Sequence, residues 1–331
     1  MKQLLPLLTF LALGSALSAQ NLTFQPERPM PGETVQFRYN PAGTPLEGVE
    51  TIYASALLFA GERPDAVDVE LKAEGDAFVG EIPTGTDIKA LFVKIENEAG
   101  DKTDSNDDQG YSTMFYRDGR STPVQGAYGS LAQALNSFAY YAGVKRAPEK
   151  ALEFYQMEFQ QYPASRADKM FANDFAGLAA QNKDEAALRK AKDIAGGLAG
   201  NNKASEEEWN VAYYMFKRMK EEALANELAE KIKKKYPDGL VIRDELFTQF
   251  YEEKDLAQKE AIYQAYQEKY GKEANFQQSQ TNFARVLANS FASKENWDKF
   301  NHYMSLIDDR QTKASILNNL AWSMAGEGLE G

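Results

Sequence analysis

The sequence predicts two folds in one chain: a β-sandwich over residues 20–118 and an array of α-helical hairpins over residues 128–331, joined by a linker at 119–127. Before Pro123, apolar and polar residues alternate with a period of two, which is typical of half-buried strands. After Pro123, apolar residues recur every three or four positions, which is typical of amphipathic helices. At 331 residues the chain is long enough to form both cores.

The composition excludes most kinds of catalysis. The chain has no cysteine, which removes thiol nucleophiles, disulfides, thiolate zinc sites and iron–sulfur clusters. Its single histidine, His302, leaves no imidazole pair for a metal or a proton relay. A net charge of -12 argues against a nucleic-acid partner, because such binding needs a cationic surface. We therefore expect a chain without enzymatic activity and without a cofactor.

Residues 1–19 have the pattern of a secretory signal peptide. Lys2 precedes a short apolar stretch from Leu4 to Leu13, and small residues follow up to Ala19. The stretch is too short to span a bilayer, so we expect cleavage near Ala19; the alternative is an uncleaved N-terminal anchor. The absence of cysteine disfavours a lipoprotein anchor. The pattern predicts a protein of the periplasm or cell envelope with no transmembrane span.

The strand-rich part begins with a clear alternation. Val35, Phe37 and Tyr39 share one face of a predicted strand, and the turn residues Pro31-Gly32 precede it. About seven short strands, ending near Arg117, predict an immunoglobulin-like or fibronectin-like sandwich. The further alternating or apolar runs are Val49–Phe59, Val67–Leu71, Phe78–Ile82, Leu91–Ile95 and Tyr111–Tyr116.

One loop of this acidic module has ligand-like spacing. Asp104, Asn106 and Asp108 follow the i, i+2, i+4 pattern of oxygen ligands in a calcium loop. The glycine that such a loop requires would fall at Gln109, and the bidentate glutamate position is Phe115. A solvated hairpin between two strands explains the same residues. The loop is therefore a weak metal candidate, and no other residue is predicted to bind a metal.

About eleven helices are predicted after Pro123, with breaks at Gly196-Gly197 and Asn201-Asn202. Pro148 marks one helix start, and Ser205 with Glu208 forms a capping box at another. The helices repeat at about 34 residues, which predicts a tetratricopeptide-like array; the alternative is a less regular α-bundle. The evidence for the repeat is the helix ends Tyr162-Pro163, Tyr236-Pro237 and Tyr270-Gly271, the small residues Ala151 and Ala225, the tyrosine position occupied by Tyr155, Ala229 and Tyr263, and Trp209.

The last segment predicts the first helix of a further hairpin. Its apolar residues Ile316, Leu320 and Met324 form a stripe, of which one flank is expected to pack on the helix of Trp297–Leu306. The second helix of that hairpin is missing before Gly331, so we expect an array cut within a repeat. The bare flank predicts self-association through this C-terminal helix.

The remaining candidates for chemistry have simpler interpretations. The acidic runs Glu206–Glu208 and Glu252-Glu253 could suggest a glycosidase, but adjacent helical residues point about 100° apart and do not converge. His302 is expected at the surface or in packing. Lysines at 231–235 are expected to favour a helix C-terminus. The tyrosines Tyr140-Tyr141, Tyr213-Tyr214, Tyr263 and Tyr266 are expected mainly between helices, with hydroxyls at the rim, and a minority could line a groove that binds a peptide.

Five segments of the chain carry a family resemblance: Pro31–Val35, Tyr39–Leu46, the polar loop into Gly110-Tyr111, Gly126–Tyr128 and Asn318–Trp322. With them, the whole arrangement resembles the N-terminal part of Bacteroidota-type thioredoxin-family proteins, the TlpA-like envelope thiol-disulfide oxidoreductases. The resemblance implies a thioredoxin-like domain with a Cys-x-x-Cys motif after the helices, beyond Gly331. Because this chain has no cysteine, no catalytic residue is carried over. The chain would then be a non-catalytic platform for substrates or protein partners; the alternative is a stand-alone envelope scaffold.

Overall fold

The computed structural model describes residues 21–61, 63–117, 119–273 and 276–327. The predicted signal peptide, residues 1–19, lies outside these ranges. Within them, two antiparallel β-sheets precede eleven α-helices, which confirms the predicted order of strands before helices. The last strand ends at Met114 and the first helix begins at Ala127.

Nine strands form the two sheets within the described residues. They are β1 (Leu22–Gln25), β2 (Val35–Tyr39), β3 (Ile52–Phe59), β4 (Asp65–Val69), β5 (Leu71–Glu74), β6 (Ala77–Ile82), β7 (Ala90–Asn97), β8 (Thr103–Asp104) and β9 (Tyr111–Met114). The first sheet has the order β1-β2-β6-β5. The second has the order β4-β3-β7, and the short strands β8 and β9 both pair with β7 on the edge away from β3. Every pairing is antiparallel.

The two sheets share one hydrophobic core. Strand β2 buries Val35, Phe37 and Tyr39 and exposes the residues between them, as its alternation predicts. These side chains meet residues of the opposite sheet such as Val93 of β7. A Cβ on Gly80 of β6 would lie 2.5 Å from Phe37 Cζ, so only glycine leaves room for that ring. The core therefore rests on aliphatic and aromatic packing without a disulfide.

The structure corrects the predicted number of strands, about seven. The run Val67–Leu71 is not one strand, because β4 pairs with β3 whereas β5 pairs with β6 in the other sheet. The chain crosses between the sheets at Glu70, and the alternation of the sequence continues through the crossing. The two-residue period of the sequence therefore could not reveal that the chain crosses between the sheets. The short strands β1 and β8 were also not predicted.

The helical region agrees with the predicted number of about eleven helices. The predicted break at Gly196-Gly197 is wrong, because both residues lie within one helix. No helix in the described ranges is both long and apolar enough to cross a bilayer. The helices are α1 (Ala127–Asn136), α2 (Pro148–Gln161), α3 (Lys169–Asn182), α4 (Glu185–Gly200), α5 (Glu206–Arg218), α6 (Glu222–Lys235), α7 (Leu240–Glu252), α8 (Leu256–Tyr270), α9 (Phe276–Ala292), α10 (Trp297–Ser305) and α11 (Arg310–Glu327).

Two predicted helix starts are confirmed. Pro148 is the first residue of α2, where its missing N–H costs no hydrogen bond. At the start of α5, Ser205 N donates to the Glu208 carboxylate at 2.8 Å, and Glu208 N donates to Ser205 Oγ at 3.2 Å. This reciprocal pair is the capping box that the sequence predicted.

The chain divides into two compact units. The first comprises residues up to 200 together with 214–221, and the second comprises 201–213 together with residues from 222 onward. In the first unit, α1 packs on β7 and β9, and the rings of Phe59 and Phe138 lie 6.0 Å apart, edge to face. The change from strands to helices near residue 123 therefore does not coincide with a boundary between compact units.

A buried carboxylate fixes the first helices of this unit. Glu158 of α2 is fully buried and accepts hydrogen bonds from Gly126 N at 2.9 Å and Ser165 Oγ at 2.6 Å. Gly126 precedes α1, so the carboxylate satisfies a donor at a helix N-terminus, where negative charge is favoured. Nearby, the Tyr162 hydroxyl donates to Pro123 O. These bonds hold the start of α1 against α2.

In the second unit, aromatic rings dominate the core. The predicted stripe of apolar residues on α11 becomes more exposed toward the C-terminus. Ile316 is buried, Leu320 is half-buried and Met324 is 56% exposed. Helix α11 contacts α9, and Ile316 shares a cluster with residues of α10. The buried aromatic members of this cluster are Phe250, Tyr263, Tyr266, Tyr270, Phe283, Phe291, Phe300 and Tyr303.

Candidate functional site

Three adjoining cavities run along α3 in the first unit. Their volumes are about 280, 380 and 420 Å³. The first two share Lys169 and Met170, and the last two share Arg218. The lining residues of α3 extend from Lys169 to Gln181, which is about 18 Å of helix. We call this feature the α3 groove. Its other wall is formed by Gly61, Lys89 and Gln133 at the first cavity, and by the end of α5 with the residues that follow, 214–220, at the second and third.

Local sequence explains why α3 can carry a groove on one side. Asp168 caps the helix, because its Oδ1 accepts hydrogen bonds from Met170 N and Phe171 N, both at 3.0 Å. The opposite side of the helix buries Phe175, and the buried Phe171 borders the first cavity. A Cβ on Gly129 of α1 would lie 2.5 Å from the Phe171 ring, so glycine allows α1 and α3 to approach closely.

Small residues leave the groove open. Gly177 and Ala180 line its third cavity in the middle of α3. An ideal Cβ on Gly177 would find its nearest neighbour, Arg218 Cδ, at 3.8 Å, which is ordinary van der Waals contact. The space above Gly177 is therefore bounded by a flexible side chain rather than by packed core.

The lining of the groove is cationic, although the whole chain carries a net charge of -12. Two carboxylates also line it, Asp168 and Asp174. Asp168 is engaged as the helix cap, and Asp174 is held by hydroxyl groups. The groove thus differs in sign from the protein as a whole. Its cationic residues are Lys89, Lys169, Lys217, Arg218 and Lys220.

Asp174 is the one carboxylate in the middle of the groove. Its Oδ2 accepts hydrogen bonds from Tyr155 Oη at 3.0 Å and Ser137 Oγ at 3.4 Å. Burial raises the pKa of Asp174, while these two bonds and the nearby Arg218 and Arg146 oppose the rise. Burial, and then the charge of Asp174, raise the pKa of Tyr155 well above its ordinary value. The pair joins α2 to the groove wall.

Asn173 presents an acceptor without a partner. Its side-chain Nδ2 donates to Lys169 O at 2.7 Å. Its Oδ1 is buried and accepts no hydrogen bond from any residue in the described part of the chain. A buried acceptor left unsatisfied costs about 1–3 kcal/mol, so its place in the lining of a cavity needs an explanation.

The acidic loop that the sequence singled out is held together by its own hydrogen bonds. Asp104 is buried, and its Oδ2 accepts from Tyr39 Oη at 2.9 Å and Tyr111 Oη at 2.8 Å. Burial, followed by hydrogen bonding, raises the pKa of Tyr111. Asn106 Nδ2 donates to a backbone carbonyl, and Asp108 forms an ion pair with Lys145 at 2.8 Å. The carboxylates of Asp104 and Asp108 are thus engaged with different partners, and Asn106 is held through its Nδ2.

The acidic runs and the histidine also fit their simpler interpretations. Glu206 accepts from the backbone N–H of Leu240, whereas Glu208 caps its own helix, so the two carboxylates do not face one site. Glu253 accepts from the backbone at the start of α8, and His302 is exposed. Within the described residues, no three Asp, Glu or His side chains come close enough to hold a metal ion.

Of the tyrosines and lysines named from the sequence, some pack against other side chains and others lie at the surface. Tyr263 and Tyr266 are buried, while Tyr140 and Tyr141 are 84% and 60% exposed and contact each other edge to face. Tyr214 lines the α3 groove. In the second unit, Lys231 Nζ and Lys235 Nζ lie 4.5 and 4.4 Å from the ring centre of the buried Trp209.

The sequence reasoning did not identify the α3 groove. One signal was available: Gly177 interrupts a helical pattern of alanine and phenylalanine, and a glycine inside a helix often has a packing or functional reason. The charges gave no signal, because the lining lysines and Arg218 lie on separate segments that only the fold brings together.

Comparisons of the chain with protein-family models, with curated proteins and with solved structures found no match. Its function is therefore argued from its own residues.

Proposed function

We propose that the chain is a non-catalytic platform that binds protein or peptide partners in the α3 groove. The observation that carries this proposal is the continuity of three cavities along three turns of one helix. A groove of this length suits an extended chain segment better than a small compact molecule. Met170 provides an apolar contact among the charged lining residues.

The proposal includes an immunoglobulin-like topology for the two sheets. When the strands are lettered in chain order, with β4 as C′, the first sheet reads A-B-E-D and the second reads C′-C-F-G. In this lettering β8 and β9 share the G position beside β7. The order supports an immunoglobulin-like sandwich, which uses the same arrangement of A-B-E-D against C-F-G.

For the helices we propose a tetratricopeptide-like array. Alternate helices from α3 onward begin at residues 169, 206, 240, 276 and 310, which is a repeat of 34 to 37 residues. The small residues Ala151 and Ala225 and the large residues Tyr155 and Tyr263, which define the predicted register, are all buried. In such arrays the first helices of successive hairpins line one surface, and α3 and α5 hold these positions.

We further propose that the platform belongs to a thioredoxin-like thiol-disulfide oxidoreductase of the cell envelope, with its redox domain after residue 331. The proposal is supported by the segments of this sequence that resemble that family. It is also supported by the combination of a candidate binding groove with a chain that has no cysteine thiol of its own. In this role the α3 groove recruits or positions a polypeptide for chemistry performed by the other domain. The predicted signal peptide would carry the protein out of the cytoplasm.

A stand-alone envelope scaffold that self-associates through α11 is the second candidate function. Leu317, Trp322 and Met324 are 50%, 72% and 56% exposed. Leu317 and Met324 lie seven residues apart, so they share one face of the helix. Sedimentation velocity tests this face: the unmodified chain should self-associate as its concentration rises, and the Leu317→Glu/Met324→Glu variant should stay monomeric. A monomer at every concentration would contradict association through α11.

Site-specific cross-linking tests the binding role of the groove. A photoreactive amino acid at Met170 should cross-link polypeptides in the cell envelope, and partners are identified by mass spectrometry. The control position is Met157, which is exposed on α2 and is not among the lining residues. Equal cross-linking from the two positions, or none from Met170, would contradict the proposal.

The coding sequence downstream of residue 331 distinguishes the two candidate functions. Codons for a Cys-x-x-Cys motif downstream of residue 331 would support the oxidoreductase platform, and a stop codon there would leave the stand-alone scaffold. N-terminal sequencing of the mature protein tests the predicted cleavage near residue 19. An intact N-terminus would contradict the signal peptide.

A further inference from the structure

We propose that the α3 groove binds an extended acidic segment of a partner polypeptide. Carboxylates of the segment pair with Lys169 and Arg218. Asn173 Oδ1, which is buried in the unbound chain, accepts from a backbone N–H of the segment when the Asn173 side chain turns toward the groove. This inference rests on the proposed binding function and adds the chemistry of the ligand to it.

The dimensions of the groove fit an extended peptide. The lining of α3 covers about 18 Å, and an extended chain advances about 3.3 Å per residue, so roughly five residues span it. The three cavities adjoin one another through shared lining residues, so the space runs along α3 instead of forming a single pocket. Gly177 and Ala180 allow a backbone to approach α3 closely.

The charges of the groove favour an acidic ligand. Lys169, Arg218 and Lys220 are exposed at the groove, on a protein whose net charge is -12. Opposed charges at an interface steer association and suppress wrong partners. Asp174 lies near Arg218 and offsets part of this positive charge, but the lining as a whole has five cationic residues against two carboxylates.

The unsatisfied acceptor favours a polypeptide over other polyanions. Asn173 Oδ1 needs a donor, and each peptide unit of an extended segment offers one N–H. The backbone of a nucleic acid and the phosphate of a lipid headgroup offer acceptors instead. Met170 and Leu188 give apolar contacts to side chains between the carboxylates. An acidic segment that alternates charged and aliphatic residues matches all of these features.

Fluorescence anisotropy with the whole chain tests the inference. The probe is a labelled peptide of about ten residues that alternates glutamate and alanine, and the comparison peptide has glutamine in place of glutamate. The acidic peptide should bind at least about tenfold more tightly, and added salt should weaken its binding. Arg218→Ala should raise its Kd about tenfold, whereas Arg285→Ala, which removes an exposed arginine on α9, should not.

Two further variants separate the groove from general electrostatics. Asn173→Ala should raise the Kd of both peptides without lowering the melting temperature. It removes the bond from Nδ2 to Lys169 O, but it also removes the unsatisfied Oδ1, and alanine favours the helix. Gly177→Phe should block both peptides by filling the groove, and its circular dichroism should show an intact fold. A loss of fold in Gly177→Phe would leave Arg218→Ala, Lys169→Ala and Asn173→Ala to decide the question.

Several results would overturn the inference. If both peptides bind equally and Gly177→Phe blocks both, the groove binds peptides without preferring acidic ones, and the proposed function stands alone. If no peptide binds up to about 1 mM while Met170 still cross-links partners, the ligand chemistry is wrong but the binding function is not. Tighter binding of a single-stranded DNA of equal charge, or equal effects of Arg218→Ala and Arg285→Ala, would also contradict it.

Discussion

The aromatic cluster of the second unit and the α3 groove of the first use opposite kinds of residue. In the cluster, Phe283 is fully buried, with its ring centre 4.5 Å from Phe250 and 4.7 Å from Tyr266. In the groove, cations surround Met170, Gly177 and an unpaired amide oxygen. Rows of tyrosine in these helices therefore indicate packing, and the candidate binding surface lies where large side chains are missing.

The hydroxyl groups of the cluster support the same distinction. Tyr303 Oη donates to Glu260 at 2.6 Å, and Tyr266 Oη donates to Ser279 Oγ at 3.3 Å. Burial raises the pKa of Tyr263, whose hydroxyl contacts Gln280. Tyr263, Tyr266 and Tyr303 thus bury their rings and give their hydroxyls polar partners, whereas the buried Tyr270 hydroxyl has no partner in the described part of the chain.

The largest effect is expected inside the cluster. Phe283→Ala removes a fully buried ring that contacts four aromatic neighbours, and should lower the free energy of unfolding by about 3–5 kcal/mol. Urea denaturation measures the change. The control, Leu224→Ala, alters a side chain that is 42% exposed in the same unit and should stay within about 0.5 kcal/mol. Similar losses in both variants would show that the rings are not the main packing element.

A slightly smaller effect is expected at the buried carboxylate of the first unit. Glu158→Ala leaves Gly126 N and Ser165 Oγ without their acceptor, and should lower the free energy of unfolding by about 2–4 kcal/mol. Glu158→Gln keeps an acceptor and should cost less. Glu153→Ala, at an exposed position of the same helix, is the control for urea denaturation. If Glu158→Ala behaves like Glu153→Ala, this carboxylate does not hold α1 against α2.

The carboxylate in the groove should show a pH dependence of the opposite sign to that of most carboxylates. Burial raises the pKa of Asp174 in the folded chain, so ionising it costs stability as the pH rises from its ordinary value of 3.8 through the folded pKa. Asp174→Asn removes this cost. Thermal melts should show the variant more stable at neutral pH, with the difference shrinking as the pH falls toward 3.8. A difference that grows on acidification would contradict the burial argument.

The smallest effect is expected on the open side of α3. Gly177→Ala should stabilise the chain by about 0.5–1 kcal/mol, because alanine favours the helix and its Cβ finds only ordinary contact. Thermal unfolding measures the gain, and acidic-peptide binding should change little. Destabilisation by this single methyl group would mean that the groove is more tightly packed at Gly177 than the 3.8 Å contact indicates.

Sequence patterns predicted the strands and helices themselves better than they predicted which elements pack or pair together. The period change at Pro123, the strand Val35–Tyr39 and the capping box of Ser205 follow from local geometry, and all are present. The crossing at Glu70 was missed, because the partner of a strand depends on distant residues. Gly196-Gly197 was read as a break, yet the surrounding alanines and the buried Ile194 keep that segment helical.

The candidate site was harder to predict for a related reason. The spacing of Asp104 and its neighbours is visible in the sequence, but burial against Tyr39 and Tyr111 decides that Asp104 points inward. The α3 groove has no comparable spacing, because Lys169 and Arg218 lie 49 residues apart and meet only through the packing of helices. Local patterns therefore revealed candidate ligands that the fold uses for structure, and they did not reveal the cavity.

Hydrogen–deuterium exchange of the whole chain, with and without saturating acidic peptide, tests the binding role of the α3 groove most directly. A ligand slows exchange in the segments that it stabilises. We predict slower exchange in α3 and in residues 214–221, with unchanged exchange in α7–α9, which hold most of the aromatic cluster. Protection confined to α7–α9 or to α11, or no protection at saturation, would contradict the account.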